Sequence, residues 1–259
     1  MKAALCRSCL VLLSISSMIG AGFAAAQSYP TRPIRVIVPF APGGATDAVM
    51  RMIGPRLGEN LGQQVVVENR PGGAATIGMD NVAKSPADGY TLGVANLTFS
   101  INPILLKKMP YDSDRDLTLV SHVTNVPFVL SVHPSVPARS VKELVALAKA
   151  KPGALNYSSS GQASATQMAT ELFKLLTRTD MLHVPFTGGG PALVSVLSGE
   201  VSVYIGSIPA LLPHMKSGRL RALGVTTLIR DAAIPEVPTV AEAGVPGYQA
   251  SEWQGIVVR

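Results

Sequence analysis

The chain has 259 residues, is 47% hydrophobic and 15% charged, and carries 22 Lys and Arg against 16 Asp and Glu for a formal net charge of +6. It is long enough for one large domain or two small ones. Its basic residues are scattered rather than set in a stripe with aromatics, so no nucleic-acid partner is expected, while a mild positive field suits small anions.

The first segment reads as a secretory signal peptide over residues 1–26. Lys2 and Arg7 precede an uncharged, mostly apolar run from Leu10 to Phe23, and Ala24-Ala25-Ala26 offers small residues at a cleavage point before Gln27. The apolar core is too short for a membrane span. Both cysteines, Cys6 and Cys9, fall inside it, so the exported chain is expected to hold no disulfide, thiolate metal site or cysteine nucleophile. Beyond it no run of eighteen apolar residues escapes a charge or a proline, and no transmembrane segment is expected.

Strand and helix signals then alternate. "IRVIVPF" (Ile34–Phe40) reads as a strand and Asp47–Leu61 as a helix, with Thr46-Asp47 at its start, Gly62 as a stop and Pro55 as a kink or shortening. "QVVVEN" (Gln64–Asn69), "TLGVAN" (Thr91–Asn96) and "FVLSVH" (Phe128–His133) read as further strands. Ser140-Val-Lys-Glu143 is a capping box that opens a helix to Ala150. The strand "ALNYSSS" follows, then a helix over Ser164–Leu176 and the strand "MLHVPF". A helix over Pro191–Ser198 has proline in its first turn and Gly199 after its end; "VSVYIGS" and "LRALGVTT" complete the series. The alternation predicts an α/β protein with parallel sheets.

One internal repeat divides the chain. "VPFAPGG" (Val38–Gly44) recurs as "VPFTGGG" (Val184–Gly190), each at a strand end ahead of a helix. Two similar lobes, each offering a glycine-rich helix N-terminus at the carboxyl edge of its sheet, would make a cleft between them.

The catalytic signatures are missing. There is no P-loop, no G-x-G-x-x-G after a strand, no G-x-S-x-G, and no S-x-x-K outside the signal segment. His122, His133, His183 and His214 are isolated, so no metal site is expected, and no cofactor. What the chain supplies is backbone donors. The first N–H groups of a helix lack partners within it and carry part of its dipole, and glycines let an anion approach them. A carboxylate suits such a site as well as a phosphate. A third polar turn, "NYSSSGQASATQ" (Asn156–Gln167), crowds hydroxyls at a strand-to-helix junction where they can donate to an anion or cap the helix.

The sequence resembles the periplasmic solute-binding proteins of tripartite tricarboxylate transporters, the Bug or TctC type. The carriers of the likeness are "YPTRPIRVIVPFAPGGATD", "VENRPGGAATIGMDNVAKSPADGYTL", "ELVALAKAKPGALNYSSSG", "ATELFKLLT", "VPFTGGGPALVSVLSGEV" and "VPTVAEAGVPGYQASEW", in this order over essentially the whole chain after the signal. The resemblance implies a two-lobed, flytrap (type II) periplasmic-binding-protein fold. Lobe 1 would comprise 27–125 and 225–259, and lobe 2 126–224. It implies a ligand-binding set of Phe40, Ala41, Gly43, Gly44, Asp47 and Thr98 from the first lobe. The second lobe would add Ser159, Ser160, Gly161, Ser164, Gln167, Phe186, Thr187, Gly188 and Ser207. It implies a monomer in the periplasm that binds a small carboxylate and serves membrane transporter subunits or a sensor ectodomain, and no enzyme.

Three departures from the family pattern stand out. Gln167 stands where relatives often have histidine, which predicts binding with little pH dependence. "YIGS" replaces a segment that often reads Phe-Asp-Asn, so a side-chain carboxylate is lost near Gly206. The chain stops at Arg259 where relatives continue, which reads as a truncated C-terminus that leaves the first lobe incomplete. The alternatives are an exported hydrolase or isomerase acting on a small acid, or a truncated, non-functional binder.

Overall fold

Residues 29–259 are described by a computed structural model; the expected signal peptide, with Cys6 and Cys9, lies outside them. Residues Arg32–Arg259 form one unit built on a nine-stranded sheet. In chain order its strands are β1 (Ile34–Val38), β2 (Val65–Asn69), β3 (Thr91–Asn96), β4 (Thr118–Val132) and β5 (Asn156–Ser159). They continue as β6 (Leu182–Pro185), β7 (Val203–Ser207), β8 (Arg221–Val225) and β9 (Ser251–Val258). The helices are α1 (Ala45–Leu61), α2 (Thr76–Ala83), α3 (Leu97–Leu105), α4 (Val141–Ala150), α5 (Ala165–Thr177), α6 (Gly189–Leu197) and α7 (Ile208–Lys216).

The strand order is β2-β1-β3-β9-β4-β7-β5-β6, with β8 also paired to β4. Strand β1 runs parallel to β2 and β3, and β5 runs parallel to β6 and β7, as the alternation of strands and helices requires. Between these parallel blocks the sheet is antiparallel, which the alternation did not reveal. Thr118–Pro127 of β4 pairs with β9, while Phe128–Val132 of the same strand pairs with β7. One strand therefore belongs to two halves of the fold.

Each half has its own apolar layers. Val36, Val38, Phe40, Met50 and Val94 pack on one side of the first half, and Ile37, Met79, Val82 and Val257 on the other. In the second half Phe128, Leu130, Tyr157, Phe173 and Ile205 pack with Val240, Val245 and Tyr248. Tyr248 meets Phe173 edge-on with centroids 6.0 Å apart and donates its hydroxyl to the Ala169 carbonyl at 3.1 Å. Residues 226–250 are thus held on the second half, and the chain returns to the first half with β9.

Local signals set most boundaries. Ser140 caps α4 by accepting from the Glu143 amide at 3.2 Å, and Ser164 caps α5 by accepting from the Gln167 amide at 3.3 Å. Helix α1 begins at Ala45, two residues before the expected start, and continues through Pro55. Pro55 is exposed, so the carbonyl that its missing N–H leaves unpaired lies on the water side of the helix. Helices α2 and α3, the first ten residues of β4, and β9 carried no signal read from the sequence. Residues Thr118–His122 of β4 are exposed, so no buried alternating face marks them as strand.

Candidate functional site

Strand β1 delivers the chain into the first glycine-rich turn. Gly43 has φ +83, a left-handed conformation that a side chain would strain. Its N–H donates to Asp47 Oδ2 at 3.0 Å, and the same carboxylate accepts from Arg51 Nε and Asn69 Nδ2, each at 3.0 Å. Asn69 Nδ2 also donates to the Phe40 carbonyl at 3.0 Å. Burial pushes the Asp47 carboxyl up, but Arg51, the Gly43 amide and Asn69 outweigh it and hold it below the ordinary range. Asp47 therefore braces the turn from beneath. Gly44, the N-cap of α1, is extended and provides no side-chain cap, which leaves the first amides of the helix for another acceptor.

The second glycine-rich turn closes onto the first. Ala41 N–H donates to the Thr187 carbonyl at 3.1 Å. A Cβ at Gly188 would lie 2.7 Å from Ala41 N, one at Gly189 would lie 2.9 Å from Gly44 Cα, and one at Gly190 would lie 2.0 Å from the Pro42 carbonyl oxygen. The glycines are what allow backbone to meet backbone. Like α1, α6 starts without a side-chain cap. Thr98 Oγ1 adds a second bond between the halves, to the Ala163 carbonyl at 3.3 Å.

The serine-rich turn is knitted together internally. Thr166 Oγ1 accepts from the Ser160 amide at 2.9 Å and lies 3.0 Å from Ser160 Oγ and 3.1 Å from Ser164 Oγ. Gln167 Oε1 accepts from the Ala163 amide at 2.7 Å. Ser159 Oγ lies 2.6 Å from His183 Nε2, and His183 stacks on Tyr157 at 4.8 Å. Burial lowers the His183 pKa against the opposing pull of Glu171.

A cavity of about 20 Å³, room for roughly one water, lies where the turns converge. Four of the residues expected at the site line it: Phe40, Gly44, Ser160 and Ser207. Ala41, Thr187 and Gly188 join the two turns beside it. Asp47 sits behind the first turn, bonded to Gly43 within it, while Ser159, Gly161, Ser164 and Gln167 shape the cap of α5. Phe186 and Gly43 instead line an outer groove of about 960 Å³, largely apolar and open, with Met52, Pro191 and Val194. The larger space is mostly apolar, with Ser195, Ser198, Glu200 and His214 in its lining; polar side chains dominate the smaller one.

Several lining residues were not foreseen. Thr46, Asn96, Thr166 and Tyr204 contribute polar groups, and Glu252 a carboxyl. Strand β9 buries Glu252 and Gln254 on one face, and the pairing of Gln254 with Asn96 brings β9 against the end of β3. Asn96 Nδ2 donates to Glu252 Oε1 at 2.9 Å. Burial pushes the Glu252 carboxyl up to about 7, against hydrogen bonds from Gln254 and Asn96. Burial and then Glu252 raise the Tyr204 hydroxyl. The signal for Glu252 was present in "SEWQGIVV", where two polar residues two apart interrupt an apolar strand.

The sequence model of the family described as "Tripartite tricarboxylate transporter family receptor" matches residues 49–259. Protein BugT of Bordetella pertussis is 42% identical over 92% of this chain and 74% of its own length. The solved structure of R. palustris Rpa4515 with adipate superposes with a TM-score of 0.86 at 38% identity, over 89% of this chain and 77% of that one. MatC from Rhodopseudomonas palustris with bound malate gives a TM-score of 0.82 at 33% identity, over 89% and 79%. The periplasmic binding protein BugD gives a TM-score of 0.84 at 30% identity, over 89% and 77%. The α/β fold is that of these periplasmic binding proteins. Among the described residues, no helix is long and apolar enough to cross a membrane.

Proposed function

The chain belongs to the tripartite tricarboxylate transporter receptor family, and from that premise we propose that it captures a small carboxylate in the periplasm, after removal of its signal peptide, and hands it on. The recipient is a membrane transporter of the family's type or a sensor ectodomain, and the receptor acts as a monomer. One observation carries this reading: two helix N-termini without side-chain caps, α1 at Gly44 and α6 at Gly188, converge on one cavity. A carboxylate there would take the amides of Ala45 and Thr46 and the hydroxyls of Ser160 and Ser207. No Lys, Arg or His lines the cavity among the described residues, so neutral donors and helix dipoles would supply the recognition.

In this reading the two halves are lobes that part and close, with crossings at Pro127–Phe128 and at Ala250–Ser251. Residues 226–250 then move with the second lobe, supported by the packing of Val240, Val245 and Tyr248. The relatives bound to adipate and malate suggest a dicarboxylate or hydroxyacid. A hydrolytic reading would turn to the Ser159–His183 pair, but Ser159 is fully buried and lies outside the cavity lining. The test is thermal unfolding at pH 6.5 with adipate, malate and a series of related acids, followed by a search for turnover. Stabilisation that saturates without consumption of the acid supports a receptor; loss of the acid would replace this reading with catalysis.

A further inference from the structure

Glu252 is a carboxyl in a cavity that reads as a receptor for carboxylates. It is 6% exposed, lies on β9 opposite Val126 of β4, and shares the cavity wall with Thr46, Ser160 and Tyr204. Its Oε1 accepts from Asn96, which leaves Oε2 as the atom on which a proton would sit. The neighbouring Gln254 Oε1 is buried without a hydrogen-bond partner, so this wall is short of donors. An anionic ligand here would meet a second anion, with no basic side chain in the lining to offset the pair. Two carboxyl groups in one such space hold a proton between them, as like charges at short range cannot both stay ionised cheaply.

We propose that Glu252 is a ligand-facing residue that binds the acid in its protonated form, so that capture takes a proton from solvent whenever the free carboxyl is ionised. The proton adds to Glu252 Oε2, and the resulting O–H donates to the ligand carboxylate; no other bond changes. The proposal rests on the carboxylate-receptor reading above. Burial already holds this carboxyl at about 7, so a nearby anion has only to raise it further. The surrounding groups leave Glu252 to titrate largely alone. Tyr204 of β7 faces it and is itself raised. Asp47 of α1 is paired with Arg51, His183 of β6 is occupied by Ser159, Glu171 of α5 is paired with Lys174, and His122 is on the exposed end of β4.

The test is calorimetric titration of the protein with adipate and with malate at about pH 6.5 and pH 8, in buffers of different ionisation enthalpy. Affinity is expected to fall about tenfold from the lower to the higher pH, with close to one proton taken up per acid bound at about pH 8. Glu252→Gln keeps the shape and a neutral hydrogen-bonding group, and is expected to bind equally well at both pH values with no uptake. Binding of either acid by the unmodified protein at about pH 8 without uptake, or with proton release, would overturn the proposal. So would a Glu252→Gln protein that keeps the full pH slope. Binding of neither these two nor any of the related acids at either pH would overturn the carboxylate reading itself, and the proposal with it.

Discussion

The turns Val38–Gly44 and Val184–Gly190 share a sequence pattern and a position at the end of a strand ahead of a helix, yet they are held in different ways. The first is braced by side chains: Asp47 ties Gly43, Arg51 and Asn69 together and fixes the turn whatever lies opposite. The second has no comparable acid. Its glycines rest against the first turn, through Ala41 and Thr187 and through Gly188, Gly189 and Gly190. A repeated motif thus yields one wall tied by its own side chains and one tied by backbone, to its own half at Ser159 and to the first turn at Ala41.

The sharpest way to break this comparison is Gly190→Val. Gly190 is helical, so a side chain suits its backbone, but its Cβ would sit 2.0 Å from the Pro42 carbonyl oxygen. The turns could no longer meet, and acid binding measured by calorimetry is expected to weaken about a hundredfold, close to 3 kcal/mol. The fold should survive with a similar melting temperature, because each half keeps its own core. Unchanged affinity would mean that the turns need not touch to hold a ligand.

Between the turns, Glu252 should make stability pH-dependent. Its folded-state pKa, about 7, is above the ordinary 4.5, so its contribution is present below 4.5 and is lost as pH rises through 7. Unfolding by urea is expected to show a loss of about 2 kcal/mol between about pH 5.5 and pH 8. Glu252→Gln should flatten the curve. A protein equally stable at both ends would mean that water reaches this carboxyl freely.

The braced wall can be sharpened through Asp47→Ala, which strips the Gly43 amide of its acceptor and removes one acceptor each from Arg51 and Asn69. A cost of about 2 kcal/mol in urea unfolding is expected, whether or not an acid is present. Asp47 is held below the ordinary carboxylate range, so this stabilisation is present above about pH 4 and fades as pH falls further. The smallest effect is that of Gln167→Ala. It removes an acceptor for Ala163 at the start of α5, worth about 1 kcal/mol, and should leave affinity within about threefold. A larger loss of affinity would place Gln167 at the ligand after all.

The parallel blocks, the caps at Ser140 and Ser164, and the two glycine turns were legible because each rests on local rules of spacing and backbone geometry. Strand β4 was read only from Phe128 onward, since its first residues are exposed and the pairing with β9 joins segments more than a hundred residues apart in sequence. The same distance hid the site's acid. Gln167 suggests binding indifferent to pH, whereas the proposal for Glu252, brought beside Asn96 by the β3–β9 pairing, expects the opposite. The family resemblance puts Asp47 in the ligand-binding set, and in the fold its carboxylate accepts from Gly43, Arg51 and Asn69.

The contact between the glycine turns also sets an order of events in time. A space of about 20 Å³ cannot admit a dicarboxylic acid, so the walls must part before one enters. Capture then runs through a minor, parted form, and the apparent affinity is reduced by the fraction of molecules in that form. In stopped-flow mixing the observed rate should level off at high acid concentration, at the rate with which Ala41 releases Thr187. A side chain at Gly190 that holds the walls apart would lift that ceiling while shortening the residence of the bound acid, so speed of entry and strength of grip would be traded at a single backbone contact.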